Sequence, residues 1–215
     1  MSTIPKSLRS GLVGEWLFAG NAKDTSGNGN DGTVNGASLT TDMLGRADRA
    51  YDFDGSNDYI EIENTFASDF GIDGNSSKTI LAWIKPHAFD GGTIWSIGSA
   101  SNTKEFTLSI ESGEGNWKAQ LHGIDEYFSA GGLNEWMCIA FVYDGSTFYI
   151  YNNGLLIESY SKTFDTGNNN PFRIGAGRNA GQFFNGQIAL PKIWNRALTQ
   201  TEIQQLYIRG IGTGI

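Results

Sequence analysis

Between Trp136 and Ser159 three short apolar runs, Met137 to Tyr143, Thr147 to Tyr151 and Leu155 to Ser159, are separated only by the pairs Asp144-Gly145 and Asn153-Gly154. Asp-Gly and Asn-Gly accept the positive φ that tight hairpin turns demand, so neighbouring runs are forced into antiparallel pairs. Other segments follow the same pattern. In Tyr59-Ile60-Glu61-Ile62-Glu63 the two isoleucines fall on one face and Tyr59, Glu61 and Glu63 on the other, as in a half-buried strand. Ile80 to Pro86 reads as a more fully buried strand ended by proline, and Gly92 to Gly98 as the next. With 29 glycines against 4 prolines, the chain is equipped for many tight turns.

One helix is expected. Thr199-Gln200-Thr201-Glu202 is a capping box, Ile203, Leu206 and Tyr207 form an apolar stripe behind it, and Gly210 reads as the stop. No linker, low-complexity tract or fixed repeat interrupts the pattern, so residues 11–215 are expected to form a single domain after an N-terminal extension of residues 1–10. Short strands spaced by about 8–12 residues, with one terminal helical segment, predict two antiparallel sheets packed face to face: an all-β jelly-roll sandwich.

A formal charge of −8 and a pI of about 4.7 argue against nucleic acid as the main partner, since phosphate binding needs clustered Lys and Arg, but leave cations welcome. The single cysteine, Cys138, lies in an apolar strand and is expected to be inert core. The N-terminus lacks the apolar segment of a secretory signal, and no window approaches the roughly 18 apolar residues that span a bilayer, so no membrane insertion is expected.

The chemistry-bearing residues form no catalytic constellation. Asp52 and Asp54 share a strand face with Asp58 just beyond, Glu111 and Glu114 flank a turn, and Glu61 and Glu63 alternate on what reads as a solvent-facing strand. His87 and His122, the only histidines, are far apart and have no neighbouring ligands. No phosphate-binding loop or EF-hand is present.

Several segments together carry a resemblance: Gly11-Leu12-Val13-Gly14-Glu15-Trp16, Asp24-Thr25-Ser26-Gly27-Asn28-Gly29-Asn30-Asp31-Gly32, Tyr51 to Tyr59, Val142 to Thr147, and Phe172-Arg173-Ile174-Gly175. Two further runs are Phe184-Asn185-Gly186-Gln187-Ile188 and Ile193-Trp194-Asn195-Arg196-Ala197-Leu198-Thr199. The chain resembles the laminin-G-like domains of the concanavalin A-like lectin and glucanase superfamily. The resemblance implies a jelly roll and a structural calcium ion, for which Asp24, Asn28, Asn30 and Asp54 are the candidate ligands. The same Asp and Asn side chains equally suit turns braced by side-chain to backbone hydrogen bonds. Where relatives carry an Asp-Glu pair after the Gly-x-Ile of the C-terminal strand, this chain has Ala189-Leu190-Pro191. The Glu-x-Asp-x-Glu strand motif of the related glucanases is missing as well, and with it the basis for catalysis.

A binding surface needs rings to stack on sugar faces and amides or guanidinium groups to pair with hydroxyls. The candidates are Trp117, Tyr127, Arg178, Asn179, Gln182 and Phe183, although Trp117 and Phe183 would equally cap the ends of the core. Trp16, Trp83, Trp95, Trp136 and Trp194 lie in strand patterns and are expected inside. The expected function is therefore non-catalytic adhesion to a glycan or cell-surface polysaccharide, outside the cell or on a virion. The chain boundaries and the missing export signal suggest a decoration protein of a phage or virus particle. A purely architectural particle protein is the alternative, and a glucanase the remote one.

Overall fold

The computed structural model describes residues 4–62, 67–99, 104–113, 115–120, 125–168 and 170–212. Glu63, Glu114 and His122 lie outside them. The first strands are β1 (Leu12–Glu15), β2 (Gly32–Asn35), β3 (Ser38–Thr40), β4 (Ala50–Asp54) and β5 (Tyr59–Ile62). They are followed by β6 (Lys78–Pro86), β7 (Thr93–Ser96), β8 (Thr107–Ile110), β9 (Trp117–Gln120) and β10 (Glu126–Phe128). After β11 (Met137–Tyr143), β12 (Thr147–Asn152), β13 (Leu155–Ser161), β14 (Arg173–Ile174) and β15 (Asn185–Trp194) comes the helix α1 (Gln200–Gly210).

The strands form two antiparallel sheets, as expected of a jelly roll. The eight-stranded sheet runs β13-β12-β11-β6-β15-β4-β3, with β1 on β15; the seven-stranded sheet runs β10-β9-β8-β7-β14-β5-β2. Along one edge β15 serves two neighbours, pairing with β4 from Asn185 to Ile188 and with β1 from Lys192 to Trp194. A bulge between Ala189 and Lys192 separates the two halves, and Leu190 takes the strained φ of +52° there. The departure at Ala189-Leu190-Pro191 is thus where the strand changes partners.

Aromatic edges meeting faces dominate the space between the sheets. Phe141 is approached edge-on by Phe148 at 5.0 Å, Trp95 at 5.3 Å, Phe106 at 5.9 Å and Phe128 at 6.0 Å. A second core covers the opposite face of the eight-stranded sheet, where Leu81, Trp83, Ala140, Val142 and Ala189 meet Leu198, Ile203 and Leu206 around α1. Strands β6 and β11 are consequently buried on both faces, which is why they read as continuous apolar runs. Residues 4–10, expected outside the domain, pack onto this second core: Ile4 and Leu8 are buried, and Trp194 Nε1 donates to Leu8 O at 2.7 Å.

The capping box of α1 forms as expected. Glu202 N donates to Thr199 Oγ1, Thr199 N donates to Glu202 Oε2 at 2.9 Å, and Arg196 grips the same carboxylate at 2.6 and 2.9 Å. Hydrogen bonds from Arg196 hold the Glu202 carboxyl down at about 2. Gly210 is not the stop: it is the last helical residue, and a Cβ there would collide with the Trp83 indole. The left-handed residue beyond the helix is Gly212, at φ +80°. Trp16, Trp83, Trp95 and Trp194 are core, whereas Trp136 is half-buried. Burial pushes the Cys138 thiol up to about 12, which makes it unreactive.

One cation lies inside the inter-sheet core. Lys78 Nζ donates to Thr166 Oγ1 at 2.6 Å and Gly74 O at 3.2 Å, and sits 5.6–5.7 Å from the Tyr143 and Phe106 ring centroids. Burial lowers its pKa to about 7, against the pull of Asp73 and Asp165. The unfolded chain retains that proton up to the ordinary lysine range near 10.5, so between pH 7 and 10 the unfolded state binds more protons and folding stability rises with pH. Lys78→Met flattens that rise, as the urea midpoint measured across this pH window checks.

Candidate functional site

Along β9 the side chains alternate: Trp117 and Ala119 are buried in the core, while Lys118 and Gln120 point to the outer face of the seven-stranded sheet. A hydrogen-bonded row crosses that face. Thr93 Oγ1 and Ser109 Oγ are 3.2 Å apart, and Ser109 Oγ donates to Gln120 Oε1 at 3.2 Å. The row fixes the Gln120 amide and leaves its N–H donors without a protein acceptor among the described residues.

The segment from Gly175 to Phe184 returns over β7 and covers part of this row. Gly175 N donates to Ile94 O at 2.8 Å, Thr93 N to Gln182 O at 2.8 Å, and Ser96 Oγ to Ala176 O at 2.8 Å. Its tip closes tightly, with Gly177 N donating to Gly181 O at 2.7 Å. The tip leaves little room at 177, where a Cβ would lie 3.0 Å from both Gly181 O and Gln182 Oε1. Ala180 and Gln182 adopt left-handed φ values of +51° and +52°, so the tip is held in a conformation that L side chains rarely take.

A shallow depression of about 310 Å³ results, lined by Gln120, Gly177, Arg178, Asn179, Gly181 and Gln182. Arg178 is pinned rather than loose: its Nη1 lies 3.2 and 3.1 Å from the two carboxylate oxygens of the buried Glu105, and its carbonyl accepts from Arg173 Nη1. Arg173 in turn holds Glu61 at 2.5 Å. The Arg178 Nε is buried and has no acceptor among the described residues. Tyr127 flanks the depression. It pairs with Lys118 across β9 and β10, which makes it the diagonal neighbour of Gln120 on the same face, at about 7–8 Å by strand geometry. Tyr127 is 53% exposed.

Of the six expected binding residues, the structure brings Arg178, Asn179, Gln182 and Tyr127 to this face. Phe183 lies half-buried at the base of the same segment, its ring 6.3 Å from that of Tyr59. Trp117 is a correction: its side chain is 0% exposed and faces inward against Phe128, so it offers no surface to a ligand. The position of Gln120 was missed by sequence reasoning, although the alternation Trp117-Lys118-Ala119-Gln120 places it opposite the buried tryptophan.

The four expected calcium ligands do not form one cage. Asp24 Oδ1 accepts from Glu15 N at 3.0 Å and Ser26 N at 2.8 Å, and its Oδ2 from Ser26 Oγ at 2.7 Å and Asn30 N at 3.0 Å. Asn28 and Asn30 spend their amide N–H groups on the carbonyls of Leu12 and Val13. Asp54 is elsewhere: its turn joins β4 to β5 and accepts Ser56 N at 2.8 Å. Asp58 of that turn lies against Gly36, just past Asn35 of β2, whereas the Asp24 loop meets β2 at Gly32 through the Gly32 N to Ala22 O bond. Those positions are about 13 Å apart along the strand. The donor set therefore does not fit a single ion, and Asp24 acts as a hydrogen-bond brace for its loop.

Residues 54–204 match the family described as the concanavalin A-like lectin/glucanases superfamily, and the chain belongs to it. No curated protein matches the chain in sequence. Among solved structures it is similar to domain 4 of the extracellular arabinanase AbnA from Geobacillus stearothermophilus in complex with arabinotriose: 19% identity over 91% of this chain and 98% of that one, TM-score 0.70. The binding domain of botulinum neurotoxin serotype D has 18% identity over 94% of this chain and TM-score 0.70. That of Paraclostridial Mosquitocidal Protein 1 has 19% identity, also over 94%, and TM-score 0.70. The chain spans only 52% and 53% of these two toxin domains. At such identities the likeness is one of fold, and all three relatives are jelly-roll structures.

Two stability measurements separate the bracing and core roles from ligand roles. Asp24→Ala costs about 1–3 kcal/mol in chelator-treated protein, because the part-buried N–H donors of Glu15, Ser26 and Asn30 lose their acceptor in the absence of any ion. Trp117→Ala costs about 3–5 kcal/mol, as for any large core side chain. Chemical denaturation checks both; an Asp24→Ala variant as stable as the parent in chelator contradicts the bracing role.

Proposed function

We propose that the protein is a non-catalytic carbohydrate-binding module that meets its glycan outside the cell or on a virion, through the outer face of the seven-stranded sheet. The carrying observation is the convergence of the Gln120, Asn179 and Gln182 amides and the pinned Arg178 guanidinium beside the exposed Tyr127 ring. Sugar hydroxyls require paired donors and acceptors, and a ring face takes the apolar side of a pyranose or furanose. The depression is shallow and its polar groups are pre-positioned, which suits a segment of polysaccharide lying across the sheet.

The arabinanase domain in complex with arabinotriose supports this reading, since nearly the whole of that domain corresponds to this chain. The carboxylates around the face support a non-catalytic role. Glu61 is held by Arg173, Glu105 by Arg178 and Glu111 by Lys118 at 3.2 Å, whereas glycoside hydrolysis needs two facing carboxyl groups with one kept protonated. The toxin structures of similar fold are binding domains, which supports a binding role for this chain as well.

A broad glycan array probed with the purified protein, in calcium and again in excess chelator, tests the proposal. Binding to a defined class of polysaccharide that persists in chelator is expected, and Gln120→Ala and Tyr127→Ala each weaken it about tenfold with an unchanged melting temperature. A blank in both conditions overturns the proposal and moves the protein to the purely architectural class of particle proteins.

A further inference from the structure

On the opposite side of the molecule, against the outer face of the eight-stranded sheet, lies a second cavity of about 270 Å³. Leu81 and Trp83 of β6, Leu190 from the β15 bulge and Leu206 of α1 give it apolar walls. Its polar lining is entirely basic. Arg46 and Arg49 come from the segment before β4, Lys192 from β15 and Arg209 from the last turn of α1, and no carboxylate lines it among the described residues. In a chain of net charge −8 this is a local reversal of sign.

Two of the four cations are neutralised nearby. Arg46 Nε and Nη2 lie 2.7 and 2.6 Å from Asp42 Oδ2, and Lys192 Nζ lies 3.8 Å from Glu15 Oε1. Neither Arg49 nor Arg209 has a side-chain ion-pair partner among the described residues, so four cations against two carboxylates leave a net +2 at the cavity. Lys192 is only 5% exposed and gives one of its three donors to Leu190 O at 3.2 Å. Burial lowers its pKa and Glu15 opposes that, so an anion entering beside it would favour the charged form. The negative end of α1 is blunted: Ile211 N–H and Gly212 N–H occupy the Tyr207 and Arg209 carbonyls at 3.1 and 3.3 Å.

We propose that this cavity binds a small amphipathic anion, a medium-chain alkyl carboxylate, with its chain against Leu81, Trp83 and Leu206 and its carboxylate between Arg49 and Arg209. A sugar fits this chemistry poorly, because the apolar walls would leave its hydroxyls unpaired. A bare inorganic anion gains nothing from those walls.

The test is titration of the full chain with sodium octanoate, followed calorimetrically and by amide chemical shifts, alongside octanol and acetate. Saturable one-to-one octanoate binding with shifts centred on Gly210 and Gly212 is expected, with octanol and acetate at least about tenfold weaker. The double variant R49Q/R209Q, whose changes lie at the cavity rim, keeps the parental melting temperature and loses octanoate affinity by at least about tenfold. Absence of saturable octanoate binding overturns the proposal. So does octanol binding as tightly as octanoate, or undiminished octanoate binding by the double variant.

Discussion

Strands β6 and β11 are buried on both faces, and the rest of the molecule is arranged around that burial. One face supplies Ile80, Ala82, Ile139 and Phe141 to the core between the sheets; the other supplies Leu81, Trp83, Ala140 and Val142 to the core beneath α1. A sheet of this kind cannot leave its outer side to solvent, because apolar surface there would be exposed at about 25 cal/mol per Å². The N-terminal segment and α1 therefore dock on it. Among the described residues the outer face of the seven-stranded sheet carries polar side chains instead: Thr93, Ser96, Thr107 and Ser109 are buried there, while Tyr127 is exposed and Lys118 and Gln120 are half-buried.

The asymmetry between the two outer faces has a chemical consequence. On the seven-stranded side the outward positions are Thr, Ser, Gln, Lys and Tyr, cross-linked by hydrogen bonds and ion pairs, and the strained Gly177 to Gln182 tip sets amides over them. On the eight-stranded side the gap left where the helix ends is apolar and basic. Hydroxyl-rich ligands match the first surface and amphipathic anions the second, so one scaffold carries two chemically distinct surfaces.

Local signals in the chain were strong enough to read most of the fold. The Asp144-Gly145 and Asn153-Gly154 hairpins, the capping box at Thr199 and the doubly buried run of β6 are all consequences of short-range stereochemistry, and each appears as expected. What needed the third dimension was which loops meet. Asp24 and Asp54 look alike as oxygen donors, but β2 separates them. Trp117 follows a Gly-Asn pair and so resembles a loop aromatic, whereas the pleat of β9 turns it inward and leaves Gln120 outside. Gly210 reads as a helix terminator, yet its smallness is needed by Trp83 across the interface. The candidate site was legible as residue types in the Arg178 to Gln182 segment; its floor on β9 was not, because nothing local says which strand that segment folds over.

On the proposed reading, glycan recognition is confined to the outer face of the seven-stranded sheet. Amide chemical-shift mapping with an oligosaccharide from the class selected by the array tests it most directly. Perturbations are expected at Lys118 to Gln120, Glu126 to Phe128 and Gly177 to Phe183, with α1 and β13 unchanged. Shifts centred instead on α1, or along the exposed edge strand β13, would contradict it.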